Sequence, residues 1–140
     1  MATVTSNQTS AGVQPKGLRV GLVATTATYS PNGSMSSGDV IQMVKVPQNA
    51  QVVSVAVFCA LQGQGSYIVG DGVSTSRYIA ASLLSVSGGA ALFPAVAATL
   101  NYVPYTYSTD DTIDIVISAS TNVSAGAIYM IAVVNLNPTV

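Results

Sequence analysis

From Leu18 onward, apolar residues recur at every second position in short runs, and the runs are separated by glycine, proline, asparagine and aspartate. This is the signature of half-buried β-strands closed by turns. Leu18, Val20 and Leu22 alternate with Arg19 and Gly21, which predicts a first strand over residues 18–29. Ser30-Pro31-Asn32-Gly33-Ser34 is a turn, and a second strand over 39–46 stops at Pro47, which has no N–H for a ladder. The strongest strand covers 51–61, with Val53, Val55, Val57, Cys59 and Leu61 on one face. Gly63-Gln64-Gly65 predicts a turn into a short strand over 67–69, and Gly70-Asp71-Gly72 turns the chain into another over 77–81.

Residues 85–89 read as a loop. Residues 90–99 are ambiguous, since alanine favours helix while Pro94 and Val96 oppose a long one; the expectation is irregular chain with at most one helical turn. A short strand over 102–107 is expected at an edge, next to Pro104. Asp110-Asp111 turns into a strand over 112–118, with Ile113, Ile115 and Ile117 inward and Asp114 outward. After a turn at 122–126, the last strand (127–136) carries Ile128, Met130, Ala132 and Val134 on one face and Tyr129, Ile131 and Val133 on the other. Apolar on both sides, it should be central or covered on both faces. Seven or eight strands with close turns and no amphipathic helix predict an all-β fold, an antiparallel β-sandwich of jelly-roll type, with a simpler Greek-key sandwich as the alternative. Residues 1–17 are polar and without period, and read as a flexible N-terminal arm on a single domain over 18–140.

Composition then narrows the function. The chain has 140 residues, of which only 6% are charged: Lys16, Arg19, Lys45, Arg77 and five aspartates, with no Glu, His or Trp. Mean hydropathy is +0.52. Without histidine there is no Ser-His-Asp triad, no imidazole base and no His-ligated zinc. A net charge of -1 lacks the basic footprint of a nucleic-acid binder. The apolar stretches 52–61 and 90–100 fall well short of the ~20 residues that span a bilayer, and the first ten residues have no signal-peptide pattern. A folded monomer of this mass exposes roughly 6,800 Å². So few charges over that surface point to a protein that hides much of it against partners.

The residues that could carry chemistry are few. Asp110, Asp111 and Asp114 form the one acidic cluster, and turn capping explains them better than a Ca²⁺ site or a pair of glycosidase carboxylates. No cofactor and no metal is expected. Gly70-Asp71-Gly72-Val73-Ser74-Thr75-Ser76-Arg77 lacks the Lys-Ser/Thr ending of a phosphate loop, and reads as a loop closed by an Asp71–Arg77 pair or by Arg77 bonding to loop carbonyls. Cys59, alone in an apolar run, should be a buried hydrophobe. Candidate interface residues are Lys16 and Arg19, where the arm meets the first strand, Arg77, and the tyrosines Tyr102, Tyr105 and Tyr107.

Ser36-Ser37-Gly38-Asp39-Val40-Ile41-Gln42-Met43-Val44-Lys45-Val46-Pro47, Gly70-Asp71-Gly72 with Arg77-Tyr78-Ile79, and Asp110-Asp111-Thr112-Ile113-Asp114 together carry a resemblance over residues 18–136. In these stretches the chain resembles capsid decoration (cement) proteins of tailed phages, of jelly-roll type, in length and style particularly those of short-tailed Bordetella phage. The resemblance implies a non-enzymatic virion protein on the outer capsid surface that clamps neighbouring major capsid proteins. It implies no catalytic residue, while charge and apolar length already argue against a nucleic-acid or membrane partner. A homodimer is the expected assembly, with a trimer as the alternative. A receptor- or carbohydrate-binding module of a phage fibre is the competing assignment, weakened by the absence of Trp.

Overall fold

Two strands, each far longer than the alternation suggests, organise the molecule. The computed structural model describes residues 1–6, 21–83, 89–93 and 104–136. Among these there are seven strands and no helix: β1 (Thr3–Thr5), β2 (Leu22–Tyr29), β3 (Val40–Val46), β4 (Gln51–Gly70), β5 (Ile79–Leu83), β6 (Gly89–Phe93) and β7 (Asp111–Asn135). β4 and β7 run antiparallel from Gln51↔Asn135 to Gly70↔Asp114. On the far edge of β7, β2 pairs with its second half and β3 with its first half, both antiparallel. On the far edge of β4, β6 pairs with residues 55–59 and β5 with residues 66–69. β1 adds to β3 in parallel, Thr3↔Val40 to Thr5↔Gln42.

Hydrogen bonds therefore link all seven strands, but the β4–β7 ribbon folds in its middle and makes two layers. One layer holds β2, the second half of β7, the first half of β4 and β6. The other holds β1, β3, the first half of β7, the second half of β4 and β5. At the fold, the pairing jumps from Gln62↔Ala125 to Gln64↔Thr121, so one β4 residue faces three of β7. Such a bulge bends a strand and lets it pass from one layer to the next. Gly126, at φ +104°, sits beside it in a backbone conformation that L side chains rarely adopt.

Here the structure corrects the sequence. The signals at Gly63-Gln64-Gly65 and at 122–126 are not chain reversals; they lie across from each other and form the corner of continuous strands. Residues 89–93 are strand β6 rather than irregular chain, because the exposed edge of β4 offers unpaired N–H and C=O groups. Of the strand expected over 102–107, the described part makes a single bridge, Gln51↔Thr106. Of the expected arm, Thr3–Thr5 pairs along β3 and Ser6 is buried, donating its hydroxyl to the Met43 carbonyl. Residues 7–20 and 94–103 lie outside the described residues.

The core fills the space between the layers. Ile41, Met43, Tyr67, Val69, Ile113, Ile115 and Ile117 from one layer meet Ala27, Val52, Val55, Val57, Cys59, Ile128, Met130 and Val134 from the other in one apolar cluster. Each large aliphatic side chain buried this way contributes about 1.5–3 kcal/mol. The inward faces of residues 113–117 and 128–134 match the period-two expectation. A second bulge between Val52 and Ser54 shifts the phase, so Val52 is buried where Val53 was expected. The architecture is the expected all-β, antiparallel-dominated sandwich.

Candidate functional site

Folding the ribbon brings the two ends of β4 to the same end of the sandwich, and a polar cluster ties them together. Tyr107 is its centre. Its N–H donates to the Ala50 carbonyl at 3.0 Å and its own carbonyl accepts from Asn49 N–H at 2.7 Å, which fixes it to the start of β4. Asn49 takes φ 66°, a conformation asparagine tolerates in tight turns. The Tyr107 hydroxyl donates to Asp71 Oδ2 at 3.0 Å, just past the end of β4. With that proton committed, the Tyr78 hydroxyl donates to the Tyr107 oxygen. Gln48 adds two bonds to the same segment, its N–H to Asp110 Oδ1 at 2.7 Å and its side-chain amide to the Ser108 carbonyl at 2.8 Å.

Asp71 organises the loop between β4 and β5. Its Oδ1 accepts from Val73 N–H at 3.0 Å and Ser74 N–H at 2.7 Å, the local turn bonds aspartate is suited to. Its Oδ2 accepts from Arg77 Nε as well as from Tyr107. Burial alone would raise this carboxyl, but the bonds from Ser74, Arg77, Tyr107 and Val73 outweigh it and hold it below the usual range. The Arg77 guanidinium continues outward and lies 3.7 Å from the centre of the Tyr105 ring, a cation–π contact. Tyr105 and Tyr107 meet edge to face at 5.0 Å and 83°. Gly70 is required by close approach: a Cβ there would lie 2.0 Å from the Ser74 carbonyl oxygen.

The expected Asp71–Arg77 pair is therefore present, and Tyr105 joins it. Tyr107 faces inward and offers a partner almost no surface, while Arg77 and Tyr105 remain accessible. Lys16, Arg19 and Tyr102 lie outside the described residues. Chemically the cluster is saturated. Asp71 accepts four bonds that hold its carboxyl low, and burial pushes the Tyr107 phenol far above its ordinary value, so at neutral pH the first stays ionised and the second neutral. Such a group fixes geometry rather than transferring protons.

The acidic cluster divides. Asp110 caps Gln48, and Asp111 Oδ1 accepts from Thr112 N–H at 2.8 Å, both turn bonds as expected. Asp114 is a correction: expected to face outward into solvent, it is 6% exposed. It lies on the outer side of its layer between Gln42 and Gly70, where the loop after Gly70 returns over the start of β7 with Gly72 against Asp111. Its Oδ1 has no hydrogen-bond partner. Burial pushes its carboxyl up to about 6, opposed by a bond from Thr112 and reinforced by the Asp111 and Asp71 carboxylates. Among the described residues, no three acidic or thiol side chains are grouped as a metal centre requires.

No family model and no curated protein matches the sequence. Solved structures do match its shape. The same fold occurs in three phage capsid structures. A chain in the capsid of Ralstonia phage GP4 is 17% identical with a TM-score of 0.77, covering 99% of this chain and 100% of that one. A chain of the cyanophage Pam1 capsid asymmetric unit is 19% identical with a TM-score of 0.62, covering 90% and 92%. A chain in the acidic stable capsid structure of Helicobacter pylori bacteriophage KHP30 is 13% identical with a TM-score of 0.55, covering 83% and 89%. At these identities the likeness establishes a shared sandwich fold.

A second surface was not among the expected sites. On the outer side of the β2 layer, Phe58 stands opposite Tyr129, and Ala56 and Thr26 flank Ile131. β7 is central, one of the two outcomes its apolar faces predict; Tyr129 and Ile131 remain 48% and 38% exposed, because no further layer packs on that side among the described residues. The only signal in the sequence was the apolar second face of residues 127–136. Every charged side chain among the described residues belongs to the other layer or to the loops at its ends: Lys45 on β3, Asp39 before it, Asp71 and Arg77 after β4, and Asp110, Asp111 and Asp114 at the start of β7. The molecule is two-sided.

Proposed function

We propose that this chain is a structural virion protein that decorates the outer surface of a phage capsid and stabilises it by clamping neighbouring major capsid proteins. The observation that carries this is the end-to-end fold match to a chain in the Ralstonia phage GP4 capsid, in which almost all of both chains superimpose. The scarcity of charge supports it, since a subunit embedded in a large assembly does not rely on charge for solubility. So does the saturated polar cluster, which suits a rigid clamp and leaves no group free for catalysis. Contact with the shell is assigned to the arm junction at Lys16 and Arg19 and to Arg77, Tyr102 and Tyr105, with Tyr107 holding that end of the sandwich together from within. Binding only the assembled lattice stabilises that lattice by mass action, and many copies multiply a weak contact.

Cryo-electron microscopy of particles carrying this chain tests the assignment. The expected map shows the sandwich outside the shell, bridging adjacent shell subunits. Density inside the shell or in a tail fibre, or particles equally stable without the chain, would overturn it.

A further inference from the structure

Arg77 is held on two sides and open on a third. Its Nε donates to Asp71 Oδ2, and its central carbon lies 3.7 Å from the centre of the Tyr105 ring. The guanidinium is thus fixed by a carboxylate along one edge and an aromatic ring against one face. Tyr105 is itself braced edge to face by Tyr107. The two Nη groups of Arg77, with four N–H donors between them, have no hydrogen-bond partner among the described residues, and the side chain is 21% exposed. An arginine tethered in this way has already lost most of its rotamer freedom, so a group that accepts from its open edge adds little ordering cost. Arg and Tyr are also the side chains over-represented where interfaces concentrate their binding energy.

The surrounding charges decide what that edge accepts. Asp71 already balances Arg77. At the same end of the sandwich, Asp110 and Asp111 line a groove with Lys45, and Asp111 lies against Gly72. Three carboxylates therefore outnumber the two cations before Asp114 is counted, and a further carboxylate or a phosphate would approach against that field. A neutral acceptor meets no such repulsion and costs less to desolvate. Resting on the capsid assignment above, we propose that the open edge of Arg77, seated on Tyr105, docks unpaired main-chain carbonyl oxygens of the shell protein, the kind that a turn or a helix C-terminus exposes. Two Nη groups in one plane reach two such carbonyls at once, which the compact ammonium of a lysine does not.

Co-sedimentation of the purified full chain with shells of its phage assembled without it tests this. Arg77→Gln should raise Kd at least about thirtyfold, and Arg77→Lys, which keeps a cation for Asp71, at least about tenfold. The ratio of the Arg77→Gln to the wild-type Kd should hold within about threefold between roughly 0.05 and 0.5 M salt, because the acceptor carries no charge. Urea denaturation of each free variant identifies one that fails to fold, and Arg77→Lys decides alone if Arg77→Gln does, since a carboxylate acceptor would keep its ion pair with lysine. Arg77→Lys binding as tightly as wild type, or a ratio that falls about tenfold with salt, overturns the proposal and leaves the capsid assignment standing. Wild type that does not bind the shells overturns both.

Discussion

Replacing Asp114 by asparagine should stabilise this protein at neutral pH, although it removes a native charge. The carboxyl is 6% exposed and its Oδ1 is unpartnered. Burial, partly opposed by Thr112 and reinforced by Asp111 and Asp71, moves it from the ordinary 3.8 to about 6. Between those values the folded chain keeps a proton that the unfolded chain has released. Stability therefore falls as pH rises through this window, and the loss is complete above about 6. At about 1.4 kcal/mol per pH unit, roughly two units correspond to about 3 kcal/mol. Asparagine keeps the shape and never ionises. Urea denaturation of both proteins from pH 4 to 8 should show little difference at the acid end and an advantage for Asp114→Asn growing to as much as ~3 kcal/mol at pH 7. Asp71 and Asp39, whose carboxyls are held low and whose contributions are lost on acidification, are common to both proteins and cancel in the comparison. A difference that stays flat with pH would mean that Asp114 ionises in contact with solvent, and the burial argument would fail.

Tyr107→Phe removes the hydroxyl linking Asp71 to Tyr78 and should cost about 1–3 kcal/mol in urea denaturation, while Tyr105→Phe, on the rim, should cost less than ~0.5 kcal/mol; equal effects would contradict the central placing of Tyr107. Asp71→Ala strands Arg77, Tyr107 and two backbone donors and should cost about 3–5 kcal/mol at neutral pH, a cost that shrinks only under acid, below the unfolded carboxyl's range, as pH falls through the lowered pKa of the native carboxyl. Gly70→Ala drives a Cβ into the Ser74 carbonyl at 2.0 Å and should destabilise by at least ~2 kcal/mol, with a neutral result showing that the loop shifts freely. Cys59 is fully buried and its thiol is pushed up to about 11 by burial, so a disulfide reagent should label it only at the rate of unfolding; immediate labelling of the native protein would place that face of β4 outward.

Period-two alternation was enough to place Val40–Val46 and the inward sets Ile113, Ile115, Ile117 and Ile128, Met130, Ala132, Val134, because one buried face leaves a strand a single choice of phase. The Asp71–Arg77 pair was legible as one of two closures, since a glycine-bounded turn brings Arg77 back to the loop, and the structure adopts it. What the sequence left open depended on groups distant along the chain. Glycines at 63 and 65 permit either a reversal or a bend, and only the β7 backbone pairing on both sides of them carries β4 straight through. The bulges at 52–54 and 42–44 answer a mismatch with the partner strand, so no local pattern announces them. Asp114 looked outward by its register and was, but the loop from Gly70 closes over it, and desolvation is set by what lies above a residue, not by its neighbours in sequence. The two apolar faces of the last strand were visible from the start; which one stays open was decided by the number of layers the chain could build. Local sterics and alternation fix the direction a side chain points, while the dielectric and the partners it meets there belong to the tertiary structure.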